Sequence, residues 1–267
     1  MALATPVLSD AATLSTTGTV SSSLPLTNLQ TMQPGEVCRF TSLTGMMIVA
    51  DLGSAKAINW VELINHNGTS AATWRIRGAD TEGNLTASPG YDSGTVSMWP
   101  ASGKPSDTGL QNLSSLLYLT TAQTYRWWRI DITDAANPAT YWQAGRLYIA
   151  NAWVPEKNLS YGVQYGFIDT SQRYRTPGGN TLPINRARLK RVAFSLGFMD
   201  EDEAFGKAWP IDLDRGMGKD VSFYENPEAT THRHRKSVYG LLSDMSPIEH
   251  LYFPVHSKGY VIEELLP

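Results

Sequence analysis

The sequence predicts a mainly β protein with two units: an antiparallel β-sandwich over residues 1–152 and a smaller, β-barrel-like unit with one short helix over residues 153–267. Three observations predict it. Short apolar runs with a two-residue period, separated by turn residues, fill the first unit and leave no long 3.6-residue periodicity. The first unit holds 8 Lys+Arg and 10 Asp+Glu in 152 positions, the second 14 and 15 in 115. That doubling of charge density coincides with Pro155, where the boundary is placed.

Taken in order, Val37–Phe40 reads as a strand. Met46–Leu52 and Ile58–Ile64 are apolar on both faces for some of their length, as strands at the centre of a sandwich are. Thr73–Arg77 alternates, with Trp74 and Ile76 on one face and two arginines on the other. Arg126–Ile132 places Trp128, Ile130 and Ile132 on one face and Trp127, Arg129 and Asp131 on the other. Turns are expected at Asp51–Ser54, Asn67–Gly68, Glu82–Asn84, Ser88–Gly90, Ala101–Gly103 and Asn137–Pro138. In the second unit, Arg188–Leu196 is a strand with a basic start. Asp200 caps a short helix near 200–208, with Glu201, Asp202 and Glu203 at the positive end of its dipole, and Trp209–Pro210 ends it. Val221–Tyr224, Ser237–Leu242, His250–Phe253 and Gly259–Glu263 are further strands.

The composition is 42% hydrophobic and 18% charged with a net charge of −3, so no overall field gathers nucleic acid or an anionic membrane. No apolar run approaches the roughly 20 residues of a membrane-spanning helix. The first residues lack the basic start and apolar core of a secretory signal, and synthesis in a cytoplasm is expected. The single Cys38 leaves no disulfide framework and reads as a buried small hydrophobe.

Aromatic and polar residues share loops at Tyr91 and Asp92, at Trp99, and at Tyr141 and Trp142; an exposed ring can stack on a sugar while a carboxylate or amide bonds its hydroxyls. With His66 and Asn67 these are the candidate glycan-binding residues, against the reading that the tryptophans fill the core and that Asn67 ties down its own loop. His232–Lys236 places two histidines at i, i+2 on an expected strand, but the interleaved Arg233, Arg235 and Lys236 oppose a cation, so no metal site is expected. A basic surface facing an acidic partner, or another copy of the chain, fits better. Arg186, Arg188, Lys190, Arg191, Arg233, Arg235 and Lys236 are the candidate assembly interface. The acids at 200–203 are consecutive and do not flank a cleft, and no nucleophile elbow, phosphate-cradling loop or zincin motif occurs, so no catalytic residue and no cofactor are expected.

Leu24–Leu29, Ile48–Ser54, Ile58–Asn67, Ala72–Arg77, Tyr125–Asp134 and Gly145–Ile149 follow one another in an order that resembles the galactose-binding-like (discoidin, F5/8 type C) jelly roll. More narrowly, it is similar to the version found in tail proteins of tailed bacteriophages, with an aliphatic-Asp-Leu-Gly run, a strand ending in His-Asn, and a late Gly-Arg-Leu strand. The resemblance covers residues 24–152. Residues 153–267 are similar, more loosely, to the small β-barrel plus helix of phage distal-tail and baseplate-hub proteins. It implies a structural component of the virion, at the tail tip or baseplate, assembled in the host cytoplasm. Its partners would be other copies in a ring, neighbouring tail tube and hub proteins, and host surface polysaccharide touched by the displayed sandwich. Neither nucleic acid nor membrane insertion is implied. A free carbohydrate-binding module or adhesin is the alternative.

Overall fold

The computed structural model describes residues 1–107 and 109–267. The chain is mainly β, with curled antiparallel sheets and a few short helices. In the sandwich, the long strands Met47–Ile64 and Ser114–Thr133 pair along most of their length. Thr73–Ala79 lies beside one half of this ribbon and Arg146–Ala150 beside the other. The two-stranded pair Cys38–Phe40 and Trp142–Ala144 makes the second layer. Between the layers lie Trp74, Ile76, Trp128, Ile130 and Ile132, the inward faces read from the two-residue alternation, together with Phe40 and Trp142. Cys38 is among them, and burial pushes its thiol up to about 12, where it stays protonated and unreactive.

Met47–Ile64 is one strand, where the sequence suggests two strands and a turn. Gly53 takes φ +75 and its N–H donates to the Asp51 carboxylate at 2.9 Å, a local turn signature. Register shifts between Asp51 and Lys56 and between Ile58 and Trp60 absorb the extra residues as bulges, so the strand bends and continues. The curl of the sheet comes from these bulges.

The second sheet is built from Gln164–Asp169, Arg188–Met199, Asp220–Tyr224, Ser237–Met245, Glu249–Tyr252 and Val255–Glu264. One further strand comes from the other end of the chain: Ala2–Ala4 pairs with Ser222–Tyr224. A helical segment packs on this sheet, its Ala204, Ala208 and Ile211 meeting Phe194, Met199, Phe223 and Tyr260. The helix expected near 200–208 runs on to Arg215, through Pro210. Residues 204–208 form a π turn in which the Trp209 N–H bonds the Ala204 carbonyl five residues back. The widened turn gives the proline ring room against the preceding carbonyls, so Pro210 starts the last segment rather than stopping the helix.

Buried polar clusters join the sandwich to the second sheet at two places. Arg146, fully buried, meets Asp220 at 2.7 Å and Asp10 at 2.5 Å, and the Tyr239 hydroxyl donates to Asp220 at 2.8 Å. Glu62 accepts from Ser222 and Tyr224 at 2.7 Å each and from the Trp60 indole at 3.1 Å. Burial raises its carboxyl above the usual range while these three donors pull it back. Gly145 precedes Arg146 because a Cβ there would lie 2.0 Å from the Pro34 carbonyl oxygen.

Candidate functional site

The loops at one end of the sandwich draw together His66, Asn67, Trp99, Tyr141 and Trp142. Asn65, at φ 52, turns the chain out of the long strand and its side chain donates to the Pro34 carbonyl at 2.7 Å. His66 then enters the interior between two indoles, with ring centroids 4.9 Å from Trp99 and 6.0 Å from Trp142. Its Nδ1 accepts from Gly68 N–H at 3.2 Å, so its Nε2 carries the proton and donates to Ser115 Oγ at 2.8 Å. Burial, with the Lys104 ammonium nearby, lowers its pKa to about 3; the Asp134 carboxylate opposes this.

Asn67 holds the loop around Tyr141, donating to the Tyr141 carbonyl at 3.0 Å and accepting from Gln143 N–H at 2.9 Å. Asp134 accepts from the Thr69 amide at 3.0 Å and from Asn137 at 2.8 Å, and the Trp99 indole donates to the Thr69 carbonyl at 2.6 Å. Apart from the Trp142 indole N–H, which is buried without an acceptor, the cluster's polar side chains bond to one another and to the loop backbone. His66, Trp99 and Trp142 are buried and present no ring face to solvent, which corrects the expectation that these two indoles are sugar platforms. What stays accessible here is Tyr141, half-buried, with the Arg39 guanidinium stacked 4.1 Å from its ring centre and bonded to Gln143 at 2.8 Å.

Tyr91 and Asp92 do not join this cluster. Asp92 lies opposite Arg77 and Ser97 opposite Thr73, so the two groups sit toward opposite ends of the strand Thr73–Ala79. The Tyr91 ring packs 5.9 Å from Trp128. Asp92 is forked by Arg75, which together with Gly94 N–H brings its carboxyl down to about 2.

The neutral, buried His66 makes a pH prediction. A depressed histidine pKa means that the unfolded chain takes up a proton that the folded chain refuses. Stability is therefore complete above about pH 6.5, the unfolded value, and declines as pH falls toward 3. The urea midpoint of unfolding is expected to drop between pH 6.5 and 5, and His66→Gln, which keeps one donor and one acceptor, is expected to flatten that slope. An equal slope in both proteins would show that His66 does not carry it.

The basic residues are mostly occupied within the chain. Arg188 pairs with Asp169 at 3.2 Å, Arg191 with Glu263 at 3.8 Å, Arg235 with Asp107 at 2.5 Å and Lys236 with Glu225 at 2.7 Å. Lys190 turns inward to the carbonyls of His234 and Ser237, and Arg233 reaches the Pro227 carbonyl at 3.4 Å. Arg186 stands exposed. Residues 233–235 form a 3-10 turn, not a strand, and His232 at φ 55 enters it. The two histidines therefore do not share a strand face, and His234 contacts Asp107 at 2.6 Å. Lys190, Arg191, Arg235 and Lys236 line a groove of about 400 Å³ with Tyr165 and Phe167.

A feature missed at the sequence level is where apolar surface is left uncovered. Among the described residues, sixteen large hydrophobic side chains are exposed, and all lie between Val154 and Phe253. The described residues of the sandwich expose none. On the 201–215 helix, Phe205, Trp209 and Leu213 follow at i, i+4 and i+8 on the outer flank. Reading that helix past Pro210 would have revealed the stripe.

No family model and no curated protein matches the chain. Solved structures similar to a portion of it include a fucose binding module from Streptococcus pneumoniae, 9% identical with a TM-score of 0.39 over 55% of this chain and 95% of that one. Another is CBM32-1 from a family 31 glycoside hydrolase of Clostridium perfringens, 11% identical with a TM-score of 0.36 over 54% and 96%. A third is a fucolectin from striped bass (Morone saxatilis) serum, 12% identical with a TM-score of 0.40 over 57% of this chain and 50% of that one.

Proposed function

We propose that this protein is a self-assembling structural component of a phage tail tip or baseplate, in which residues 153–267 make the subunit contacts and the sandwich is displayed outward. The observation that carries the assembly reading is the one-sided distribution of exposed apolar side chains: among the described residues, sixteen in the second unit and none in the sandwich. Apolar side chains exposed as a group, as Phe205, Trp209 and Leu213 are on one flank of the helix, are the kind of surface that marks an interaction site. The sandwich is stapled to the second unit by Arg146 and Glu62, so it is carried rigidly rather than on a linker. The phage setting rests on the sequence resemblance of both units.

Light scattering on the purified full chain tests the assembly reading. A closed oligomer at micromolar concentration, ring-shaped in negative stain, is the expected result. A chain that stays monomeric at several hundred micromolar would overturn it.

A second reading, glycan contact by the sandwich, is favoured by one observation: the accessible Tyr141 with Arg39 and Gln143 beside it. Binding on a glycan array that is lost on Tyr141→Ala, with unfolding unchanged, would support it. An array with no signal would remove it.

A further inference from the structure

Glu264 ends the strand Val255–Glu264 with a carboxylate inside the molecule, and two side-chain nitrogens share one of its oxygens. The Asn112 carboxamide, from the sandwich, donates through Nδ2 to Oε1 at 3.4 Å. The Lys190 ammonium, from the strand Arg188–Met199, lies 3.6 Å from the same oxygen. The Lys190 backbone N–H donates to Oε2 at 2.8 Å, which fixes the carboxylate between the two. Asn112 and Glu264 are buried, and the Lys190 side chain is only 14% exposed.

An amine, a primary carboxamide and a carboxylate that touches both are the reactants and the acid–base group of one reaction. It is transfer of the asparagine acyl group to the lysine nitrogen. The polar contacts around the two reactants are also incomplete. Asn112 Nδ2 donates to the Leu265 carbonyl at 2.5 Å, but its Oδ1 is buried with no donor among the described residues. A buried acceptor left open in this way is uncommon. Lys190 directs its donors to the His234 carbonyl at 3.3 Å and the Ser237 carbonyl at 3.2 Å, both long for such bonds.

We infer that Lys190 and Asn112 join in an intramolecular isopeptide bond, with Glu264 as the proton carrier. A turn of the ammonium from the His234 carbonyl to the open Asn112 Oδ1 brings Nζ to the carboxamide carbon, at a near-attack separation of about 3–3.5 Å. Glu264 takes a proton from the ammonium, and the neutral amine attacks Cγ, forming the new C–N bond. This transfer is eased in a buried site because it removes two charges from it. The carboxyl then returns the proton to the carboxamide nitrogen and takes one from the new C–N nitrogen. Ammonia leaves as the old C–N bond breaks, and it carries off the last proton as ammonium. Amine plus carboxamide thus become secondary amide plus ammonia; nothing is oxidised or reduced, and no co-reactant is needed. Lys190 borders the groove of about 400 Å³ with Leu110 and Val192, which gives the ammonia a way out. The bond would tie the sandwich covalently to the second unit, beside the non-covalent Arg146 and Glu62 clusters.

Mass spectrometry of the full chain tests this. The denatured parent is expected to be lighter than its sequence mass by one ammonia. Its proteolytic digest is expected to hold a branched peptide that joins Asn112 to Lys190. Lys190→Arg keeps the cation without the nucleophilic amine, and Glu264→Gln removes the proton carrier. Both variants are expected at their full sequence mass, with no branched peptide. Succinimide formation at Asn67–Gly68 would also release one ammonia, and the branched peptide tells the two apart. A parent at full mass after prolonged incubation would overturn the inference, as would a lost ammonia that maps to any other site. A branched peptide that persists in Glu264→Gln would overturn the role given to Glu264. The digest of the parent decides the bond even if a variant fails to fold. Since every readout is taken on denatured chains, the result is independent of the assembly reading.

Discussion

Replacing Arg146 by methionine is expected to lower the stability of the full chain by about 3–5 kcal/mol, read as a fall in the urea midpoint followed by circular dichroism. The guanidinium is fully buried and lies between the turn at Asp10, its own strand in the sandwich and Asp220 in the second sheet. Asp10 is partly exposed and can turn to water. Asp220 cannot: its carboxylate keeps the Tyr239 hydroxyl at 2.8 Å and a distant Arg215 at 3.8 Å, and loses both short bonds from Arg146. Most of the loss is thus the penalty of one buried carboxylate left short of cations, rather than the worth of the pair. Combining Arg146→Met with Asp220→Asn removes that charge and is expected to recover a large share of the loss. If the double variant is as unstable as the sum of the two single ones, the penalty lies in packing and not in the stranded charge.

That residue also shows what could be read from the sequence. The Gly-Arg-Leu run at 145–147 stands out as a pattern, but the pattern does not say why an arginine is needed. The reason is Asp220, 74 positions away in another sheet. The sandwich core was legible because a two-residue period sorts Trp74, Ile76, Trp128 and Ile130 onto one face whatever the tertiary partner. Ala2–Ala4 was not, since three residues, Ala-Leu-Ala, are too short to show a period and become a strand only by pairing with Ser222–Tyr224. Gly53 and Pro210 misled in the same way. Each is a breaker by local chemistry, and in each case a bulge or a π turn absorbs the break so that the element continues. The candidate sugar site was half legible: the loops carrying His66, Asn67, Trp99, Tyr141 and Trp142 do converge, but composition does not say whether a loop aromatic points out or in. The 201–215 flank was hidden for the opposite reason, because its stripe crosses the proline at which the helix was expected to end.

The direction in which Trp142 points has a large consequence. Trp142→Ala is expected to destabilise the protein by about 3–5 kcal/mol, the cost of emptying a core site that cannot collapse. The ring is fully buried between Phe40, at 6.1 Å, and His66, at 6.0 Å. Phe40 is fixed by the backbone pairing of Cys38–Phe40 with Trp142–Ala144, and His66 by its bonds to Ser115 and Gly68. Neither can move far into the space left behind. Trp142→Phe is expected to cost much less, because the indole Nε1–H is buried without an acceptor and its removal offsets some of the lost volume. A sugar-stacking tryptophan would behave differently, since an exposed ring can be truncated with stability nearly unchanged. Chemical denaturation of the three proteins therefore separates the roles. Midpoints in the order parent, Phe, Ala, with a wide gap before Ala, mark a core residue; an Ala variant that unfolds with the parent would return Trp142 to the surface.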